Sequence, residues 1–374
     1  MTTLNTKQEI VDFVRGCTFL GTGGGGSPEP GIEGLTALLE KGKTLSFIPA
    51  SEISDDVWTT CCYLMGTIAP KSDEVMRGMK KFGLTNRTIE YMPAEAGKEL
   101  AKYAGVEVGA LVPLEIGGGA TSSAVAAGAI FGVPVVDGDY SGGRAIPEVP
   151  QTTPILFDRG MWPMASVDAY GNRAVITGAS SFEMAERIGK MLSAASFELV
   201  GNAAFLMNGK AMKETVVQGT LSKSYAIGKA IREAREQGKD PVAAGCETAG
   251  GVVLFKGKVS LKKWEDRDAY LWGEHTIAGS GDFAGHTYKI WYKNENHVTW
   301  LDGTPHVTSP DLVIVVEAET GEPLTNTVIA EGQDVAVIGI AATEVFTTPK
   351  GIDLLGPRHF DFDIDHKPIA DVLK

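Results

Sequence analysis

The chain has 374 residues, of which 43% are hydrophobic and 22% charged, and this is the composition of a globular protein and not of a disordered one. Since domains of about 150 residues are usual, the length predicts two domains. Asp and Glu (47) outnumber Lys and Arg (34), which gives a formal net charge of −13. Because no run of five basic residues offsets this charge, we expect neither nucleic acid nor an anionic membrane as a partner.

The cysteines and the N-terminus bear on the cellular compartment. The four cysteines have neither the spacing of metal ligands nor the density of a disulfide framework, so we expect free thiols in a reducing compartment. Glu9 and Asp12 lie where an export signal needs an apolar core. A cytoplasmic protein is therefore expected.

The first glycine-rich segment, residues 19–31, joins two predicted helices, because apolar residues recur at helical spacing on both sides of it. It formally matches G-x-G-x-x-G, but it lacks the preceding strand and the later acidic residue of a dinucleotide site, and no Gly-Lys-Ser/Thr follows. We expect no nucleotide there. The segment is either a tight helix junction or a ligand-facing backbone, and in the second case Gly23, Gly24 and Gly25 are candidate ligand-binding residues.

The sequences VEVGALVPLEI and GVPVVDGD predict two strands that end near Glu115 and Asp137, with a helix over 121–131 between them. A strand–helix–strand crossover is almost always parallel and right-handed, so both strands should end at the same edge of the sheet. The turn before the helix supplies two further candidate ligand-binding residues, Gly118 and Gly119.

Residues 116–136 carry no charge and are numerous enough to span a bilayer. Their glycines, serines and Pro134 argue instead for a buried loop, helix and strand. We expect no membrane span.

The predicted sheet edge gathers five candidate catalytic residues, Glu115, Asp137, Asp139, Arg144 and Glu148. Ligands bind beyond the carboxyl ends of strands in open α/β sheets. Converging carboxylates raise each other's proton affinity, so one can act as acid and another as base, or two can share a divalent cation. Asp137 and Asp139 are the candidates for such a metal. The alternative is that both aspartates only shape a turn and that Arg144 pairs with one of them.

The second half of the chain changes character. A hairpin is predicted with its turn at Gly171 and Asn172, followed by helices over 182–195 and 221–237 and, after residue 250, by short strands separated by turn signals. We predict an α/β domain with a mainly parallel sheet over 1–178, and a helix pair followed by a β-rich, barrel-like or sandwich-like domain over 179–374.

Polar residues of the predicted β-rich part offer weaker candidates. His275 and His286 could bind zinc, but their separation matches no closed zinc pattern, and we expect surface histidines. In residues 292–297, YKNENH, one row of alternate polar side chains could line a cleft, or both rows could be solvated.

Five motifs, in order from about residue 19 to about residue 369, resemble one known family. They are FLGTGGGGSP, EIGGG, PVVDGD with GRAIPE, SPDLVIVVEAETGEP and GPRHFDFDIDHKPI. The chain is similar to the S-methyl-thiohydantoin desulfurase-like proteins. The resemblance implies an α/β domain followed by a β-rich one, hydrolysis of the carbon–sulfur bond of a thiohydantoin or a related five-membered cyclic amide, and a hydantoinase-type partner.

Two functions follow from this resemblance: a hydrolase, or a non-catalytic partner subunit of a hydantoinase-type enzyme. For the hydrolase, we expect Asp137 and Asp139 to activate water, directly or through a divalent metal, while Glu115 or Glu148 donates a proton. Arg144 would hold a ring oxygen or a carboxylate of the substrate. A small-molecule substrate and a homo-oligomer are expected.

Overall fold

The computed structural model describes residues 1–66, 72–268 and 270–374. In these residues, the first part of the chain forms ten strands: β1 (Thr2–Thr3), β2 (Ser46–Ile48), β3 (Trp58–Met65), β4 (Val108–Leu111), β5 (Val135–Val136), β6 (Gly138–Asp139), β7 (Met164–Val167), β8 (Arg173–Ile176), β9 (Val200–Asn208) and β10 (Val217–Gln218). The same described part also forms ten α-helices: α1 (Lys7–Leu20), α2 (Pro28–Glu40), α3 (Asp73–Lys81), α4 (Met92–Ala104), α5 (Gly118–Phe131), α6 (Thr153–Leu156), α7 (Phe182–Ser196), α8 (Gly209–Thr215), α9 (Thr220–Glu236) and α10 (Pro241–Ala249).

Within the described residues, eight of these strands form one sheet in the order β1-β2-β5-β4-β3-β9-β7-β8. The central strands β2, β5, β4 and β3 are parallel, and antiparallel strands extend the sheet on both sides. The predicted hairpin is present as β7 and β8. Strand β9 adds residues beyond 178 to this first sheet, and the exact domain boundary stays a prediction.

The predicted strand–helix–strand unit is confirmed, and it places the candidate site. Strand β4 pairs in parallel with β5, with Leu111 opposite Val135, and α5 connects them. Glu115 and Asp137 therefore follow neighbouring parallel strands at the same edge. Among the described helices, none has both the length and the apolar character that a bilayer crossing requires.

The second part of the chain adds an antiparallel sheet, which confirms the predicted succession of an α/β and a β-rich part. Its strands in the described residues are β11 (Val252–Arg267), β12 (Tyr270–Gly279), β13 (Thr287–Lys293), β14 (Glu295–Leu301), β15 (Thr304–Thr308), β16 (Leu312–Glu317) and β17 (Asp334–Ile340). Their order is β15-β14-β13-β12-β11-β17-β16, and α11 (Pro349–Leu355) and α12 (Ile369–Val372) follow. β13 and β14 form a tight hairpin at Asn294, where φ is +58°.

Helices α1 and α9 pack with their backbones in close contact. A Cβ at Gly16 would overlap the carbonyl group of Ser224, and a Cβ at Gly228 would overlap that of Asp12. The buried Asp12 carboxylate accepts hydrogen bonds from Arg232 Nε at 2.9 Å and Arg15 Nη1 at 3.0 Å. The small residues permit the approach, and the ion pairs fix its position.

We predict that Gly16→Ala lowers the free energy of unfolding by at least about 1–3 kcal/mol, because the added methyl group meets backbone that cannot rotate away. Gly34→Ala is the matched control in α2, where a Cβ would meet no atom within 4 Å. Removing glycine from that helix should stabilise the fold by about 0.5–1 kcal/mol. Urea unfolding of both variants checks this, and equal stability of the two would contradict the packing described.

Candidate active site

Two glycine loops meet beside the parallel strands. The first follows α1, whose last turn is closed by Gly21, and leads into α2, so the predicted helix–loop–helix context is confirmed. The second opens α5 at Gly117. A Cβ at Gly25 would lie 2.5 Å from Gly117 Cα, and the Gly119 amide donates to the Gly25 carbonyl at 3.0 Å. The loops are therefore in backbone contact.

Protein atoms occupy the space beside each of the five candidate ligand-binding glycines. A Cβ at Gly23 would lie 2.6 Å from the Asn326 amide nitrogen, and one at Gly24 would overlap the Glu295 carboxylate. A Cβ added at Gly25 would meet Gly117. One added at Gly118 would meet Thr18 and Pro28, and one added at Gly119 would meet Ser27 and Gly26. Close packing accounts for these glycines, and their contact with a ligand stays a prediction.

Asp137 and Asp139 hold the backbone in place. Asp137 accepts hydrogen bonds from the Leu221 and Ser222 amides, both at 3.0 Å, and from Ser222 Oγ, so it satisfies the N-terminus of α9. Asp139 is fully buried and accepts from the amides of Ser141 at 2.6 Å and Gly143 at 2.8 Å. Burial raises the pKa of Asp139 to about 7, although these hydrogen bonds act to lower it.

Glu115 is half-buried and has one oxygen available. Its Oε2 accepts from the Ile146 amide at 2.8 Å, while no donor among the described residues bonds Oε1. Burial raises the pKa of Glu115 to about 7; the Ile146 hydrogen bond opposes this shift, and the charge of Asp139 adds to it. Glu115 is therefore poised between its two protonation states near neutral pH.

Glu295 comes from the second sheet and meets the first glycine loop. It begins β14, is 2% exposed and accepts from the Gly25 amide at 3.2 Å. Burial, with the charge of Glu115, raises the pKa of Glu295 well above its usual range. Glu115 and Glu295 thus interact electrostatically and both have raised proton affinity, the first half-buried and the second enclosed where β14 meets the first glycine loop.

Arg144 lies inside the protein and does not face a cleft. It is 1% exposed, and its guanidinium donates to the carbonyl oxygens of Ala145 at 3.1 Å, Pro310 at 3.0 Å and Asn296 at 3.4 Å. Burial lowers its pKa to about 10, and the charge of Glu295 opposes this effect. The expected contact of Arg144 with substrate therefore has no support in this geometry; the side chain ties the two parts of the chain together.

Glu148 is the centre of a separate polar cluster with Lys293 and His359. Lys293, at the end of β13, forms an ion pair with it, and His359 Nε2 lies 3.0 Å from its Oε2. Burial acts to raise the pKa of Glu148, but the His359 hydrogen bond and the Lys293 charge prevail and lower it to about 2. Glu148 is therefore ionised and orients His359, whose side chain is 25% exposed.

Comparison with known proteins identifies the fold and the family. The family models for the S-Me-THD-like N-terminal domain and C-terminal domain match residues 8–178 and 180–369. The chain belongs to the S-Me-THD-like family. A crystallised protein from Chromobacterium violaceum has the same fold, with a TM-score of 0.79 and 18% identity, over 99% of this chain and 100% of its own. No curated protein matches the chain.

This S-Me-THD-like chain buries polar residues that the sequence predicted at the surface. The expectation of surface histidines is wrong for His275, which is 1% exposed, and confirmed for His286, whose side chain is 55% exposed; burial lowers the pKa of His275 to about 4. His297, in the polar segment 292–297, is 0% exposed and therefore not solvated. In the segment 292–297, Lys293 forms an ion pair with Glu148, and Glu295 accepts a hydrogen bond from the Gly25 amide. In the sequence, the only sign of these contacts is a run of polar residues within a predicted pair of strands. That run allowed two interpretations, a row of side chains that lines a cleft or two rows that are solvated.

The predicted metal role of Asp137 and Asp139 gains no support from their surroundings. In the part of the chain that the structure describes, no three His, Cys, Asp or Glu side chains are arranged to hold a metal ion. Both aspartates already accept hydrogen bonds from backbone N–H groups. A metal ion would have to compete with those donors.

We predict that Asp137→Ala lowers the free energy of unfolding by about 0.5–2 kcal/mol, because the N-terminal amides of α9 lose their acceptor. The control is Asp56→Ala, at an exposed position outside any helix or strand, which should leave stability within about 0.5 kcal/mol of the parent. Thermal and urea unfolding followed by circular dichroism measure both. Parent-like stability of Asp137→Ala would refute the capping role.

Proposed function

We propose that the protein is a hydrolase that removes a sulfur substituent from the ring carbon between the two nitrogens of a thiohydantoin or a related cyclic amide. Membership of the S-Me-THD-like family supports this substrate class. The observation that carries the proposal is Glu115: a half-buried carboxyl group with a pKa near 7 and one oxygen that no donor among the described residues bonds.

Glu115 is the general base of the proposed reaction, in place of the two aspartates. A base must accept a proton without breaking bonds that hold the fold, and Glu115 Oε1 meets this condition whereas the oxygens of Asp137 and Asp139 do not. Its pKa near neutrality keeps a large share in the basic form while making it a strong enough base for water.

His359 is the proposed general acid. Its contact with the ionised Glu148 fixes the orientation of the ring, as a carboxylate does for a catalytic histidine. Glu148 itself cannot donate a proton near neutral pH, because its pKa is about 2. Glu148 is thus a positioning residue, and the proton-donor role predicted for it passes to His359.

The proposed reaction adds water to the ring carbon and then expels the thiol. The water oxygen forms a bond to the ring carbon, Glu115 accepts one water proton, and the adjacent ring nitrogen takes a proton from His359 as its double bond to that carbon opens. The carbon–sulfur bond then breaks with its electron pair on sulfur, which takes up the remaining hydroxyl proton. The proton on Glu115 returns through solvent to His359. The net reaction consumes water and yields a ring carbonyl and a thiol.

Assay of the purified chain separates this proposal from a non-catalytic role beside a hydantoinase-type enzyme. An S-methyl-thiohydantoin is the probe, thiol release is followed with a thiol reagent, and the ring carbonyl product is followed by mass spectrometry. Release of both products by the isolated chain is expected. Release only when a hydantoinase-type protein is added would favour the partner-subunit alternative.

We predict that Glu115→Gln lowers kcat by about 10²- to 10⁴-fold, because the amide cannot accept the water proton. Glu107→Gln is the control: Glu107 is exposed, just before the same strand β4, and its replacement should leave kcat unchanged. Unfolding curves establish that both variants are folded. A kcat of Glu115→Gln within about threefold of the parent would remove Glu115 from the mechanism.

The pH dependence of kcat/KM follows from the same group. Glu115 must be ionised to act as base, so the rate should fall as pH drops through about 7, by about tenfold per pH unit below it. Measurement of kcat/KM from pH 5 to pH 8 in buffers of constant ionic strength tests this. A profile that stays flat down to pH 5 would exclude a base with this pKa.

A further inference from the structure

The last motif of the chain, GPRHFDFDIDHKPI, belongs to a segment from which the proposed function uses only His359. This segment, residues 342–369, follows β17, and we call it the strap. It lies wholly within the described residues, where its regular structure is limited to α11, two short 3₁₀ turns and the first residue of α12. The strap is thus held by contacts of its ends and its middle rather than by a strand ladder.

One carboxylate binds both ends of the strap. Asp311 lies directly before β16 and is 1% exposed. Its Oδ1 accepts a hydrogen bond from the Ala342 amide at 2.7 Å, and its Oδ2 accepts one from the Ile369 amide at 2.8 Å. Each oxygen bonds one end, so a single side chain beside the second sheet closes the strap into a loop.

The surroundings of Asp311 make these two hydrogen bonds important. Burial of the carboxylate raises its pKa, and the Ala342 hydrogen bond is the largest of the effects that oppose this rise. His366 Nε2 lies 3.9 Å from Oδ2, too far for a hydrogen bond, and Arg144 donates to the adjacent Pro310 carbonyl at 3.0 Å. A buried carboxylate that loses a donor is costly, so Asp311 and the ends of the strap stabilise each other.

The middle of the strap is held by an aromatic stack next to His359. The ring of Phe360 stacks on that of His297 in β14, with 3.9 Å between the ring centres and 28° between the ring planes. His297 is fully buried and so gives Phe360 a fixed support. The neighbouring His359 places its Nε2 3.0 Å from Glu148 Oε2. Because Glu148 is ionised, this contact favours the neutral imidazole with its hydrogen on Nε2.

We propose that Asp311 is a positioning residue, which joins the two ends of the strap and thereby holds His359 against Glu148. This inference deepens the proposed function and rests on it for the role of His359 as acid; the contact of Asp311 with the strap does not depend on that role. It also connects two of the family motifs, because Asp311 belongs to SPDLVIVVEAETGEP and Ile369 is the last residue of GPRHFDFDIDHKPI.

The main variant is Asp311→Asn, which keeps the shape of the side chain but has only one acceptor oxygen, so that one end of the strap loses its acceptor. Lys350 and Arg358 are exposed residues of the strap, and trypsin cleavage after them reports its opening. Cleavage there should be about 10- to 100-fold faster than in the parent, the range expected when a hydrogen bond to a charged group is lost. Cleavage after Lys43, an exposed residue between α2 and β2, should keep the parent rate.

The matched control is Glu317→Gln. Glu317 ends the same strand β16 and likewise accepts from two backbone amides, those of Glu319 and Thr320, but neither belongs to the strap. This variant should leave cleavage of the strap at the parent rate. Ala342→Pro is the second variant. It removes one amide donor and keeps the buried carboxylate, so it should accelerate cleavage of the strap even if Asp311→Asn does not fold.

Nuclear magnetic resonance of protein labelled with ¹⁵N in histidine shows whether the ends of the strap position His359. The His359 signals are identified by their loss in His359→Gln. At a pH where the ring is neutral, the parent should show the form with hydrogen on Nε2, and Asp311→Asn should show a mixture of the two neutral forms, because the contact with Glu148 is loosened. Glu317→Gln should leave these signals unchanged.

Turnover separates this inference from the proposed function. If His359 is the acid, kcat of Asp311→Asn should fall by about 10- to 100-fold with KM within about threefold, because a displacement of about 1 Å at a catalytic group has such an effect. If the parent releases no thiol but the strap and His359 respond as expected, the hydrolase proposal fails and the positioning role holds. Parent-like cleavage of the strap in both Asp311→Asn and Ala342→Pro, equal acceleration of cleavage after Lys43, or unchanged His359 signals would overturn the positioning role. A parent-like kcat of Asp311→Asn in an active enzyme would overturn it as well.

Discussion

The close approach of two glycine loops is the constraint on which the rest of the site depends. Gly25 and Gly117 approach so closely that a side chain on either would overlap the backbone of the other. This contact joins the end of α1 to the start of α5 without intervening side chains, and it leaves space that Glu295 fills beside Gly24. The second part of the chain therefore meets the first glycine loop at backbone level, since the Asn296 amide donates to the Thr22 carbonyl at 2.8 Å.

Burial of charge where β14 meets the glycine loops raises the proton affinity of the carboxyl groups there. Removing a carboxylate from water is costly, and the charge of Arg144, which is bonded to the carbonyl oxygens of Ala145, Pro310 and Asn296, offsets only part of that cost for Glu295. Glu295 remains enclosed with its proton affinity raised, whereas Glu115 still reaches solvent. The same burial that costs stability thus produces a base with a pKa near neutrality.

Local patterns predicted the architecture, and they failed where a contact joins distant residues. The small-residue helix between two apolar strands was enough to place Glu115 and Asp137 at one edge, since the handedness of the crossover is fixed by chain geometry. The partner of Gly25, Glu295, lies 270 positions along the chain. Nothing in the YKNENH segment shows that it packs against a glycine loop, because strand alternation alone cannot tell a cleft from solvent.

Carboxylates at a strand edge can be sorted by what their oxygens already bond. Asp137 and Asp139 accept backbone N–H groups for which the described residues offer no other acceptor, so protonating either carboxylate would weaken these hydrogen bonds. Glu115 accepts from the Ile146 amide with one oxygen, while no donor among the described residues bonds the other. The aspartates, whose short side chains lie close to the backbone, therefore hold loops in place, whereas the longer side chain of Glu115 remains partly exposed. The hydrogen bonds that each carboxylate oxygen accepts are seen only in the structure, and they distinguish the structural aspartates from the candidate base.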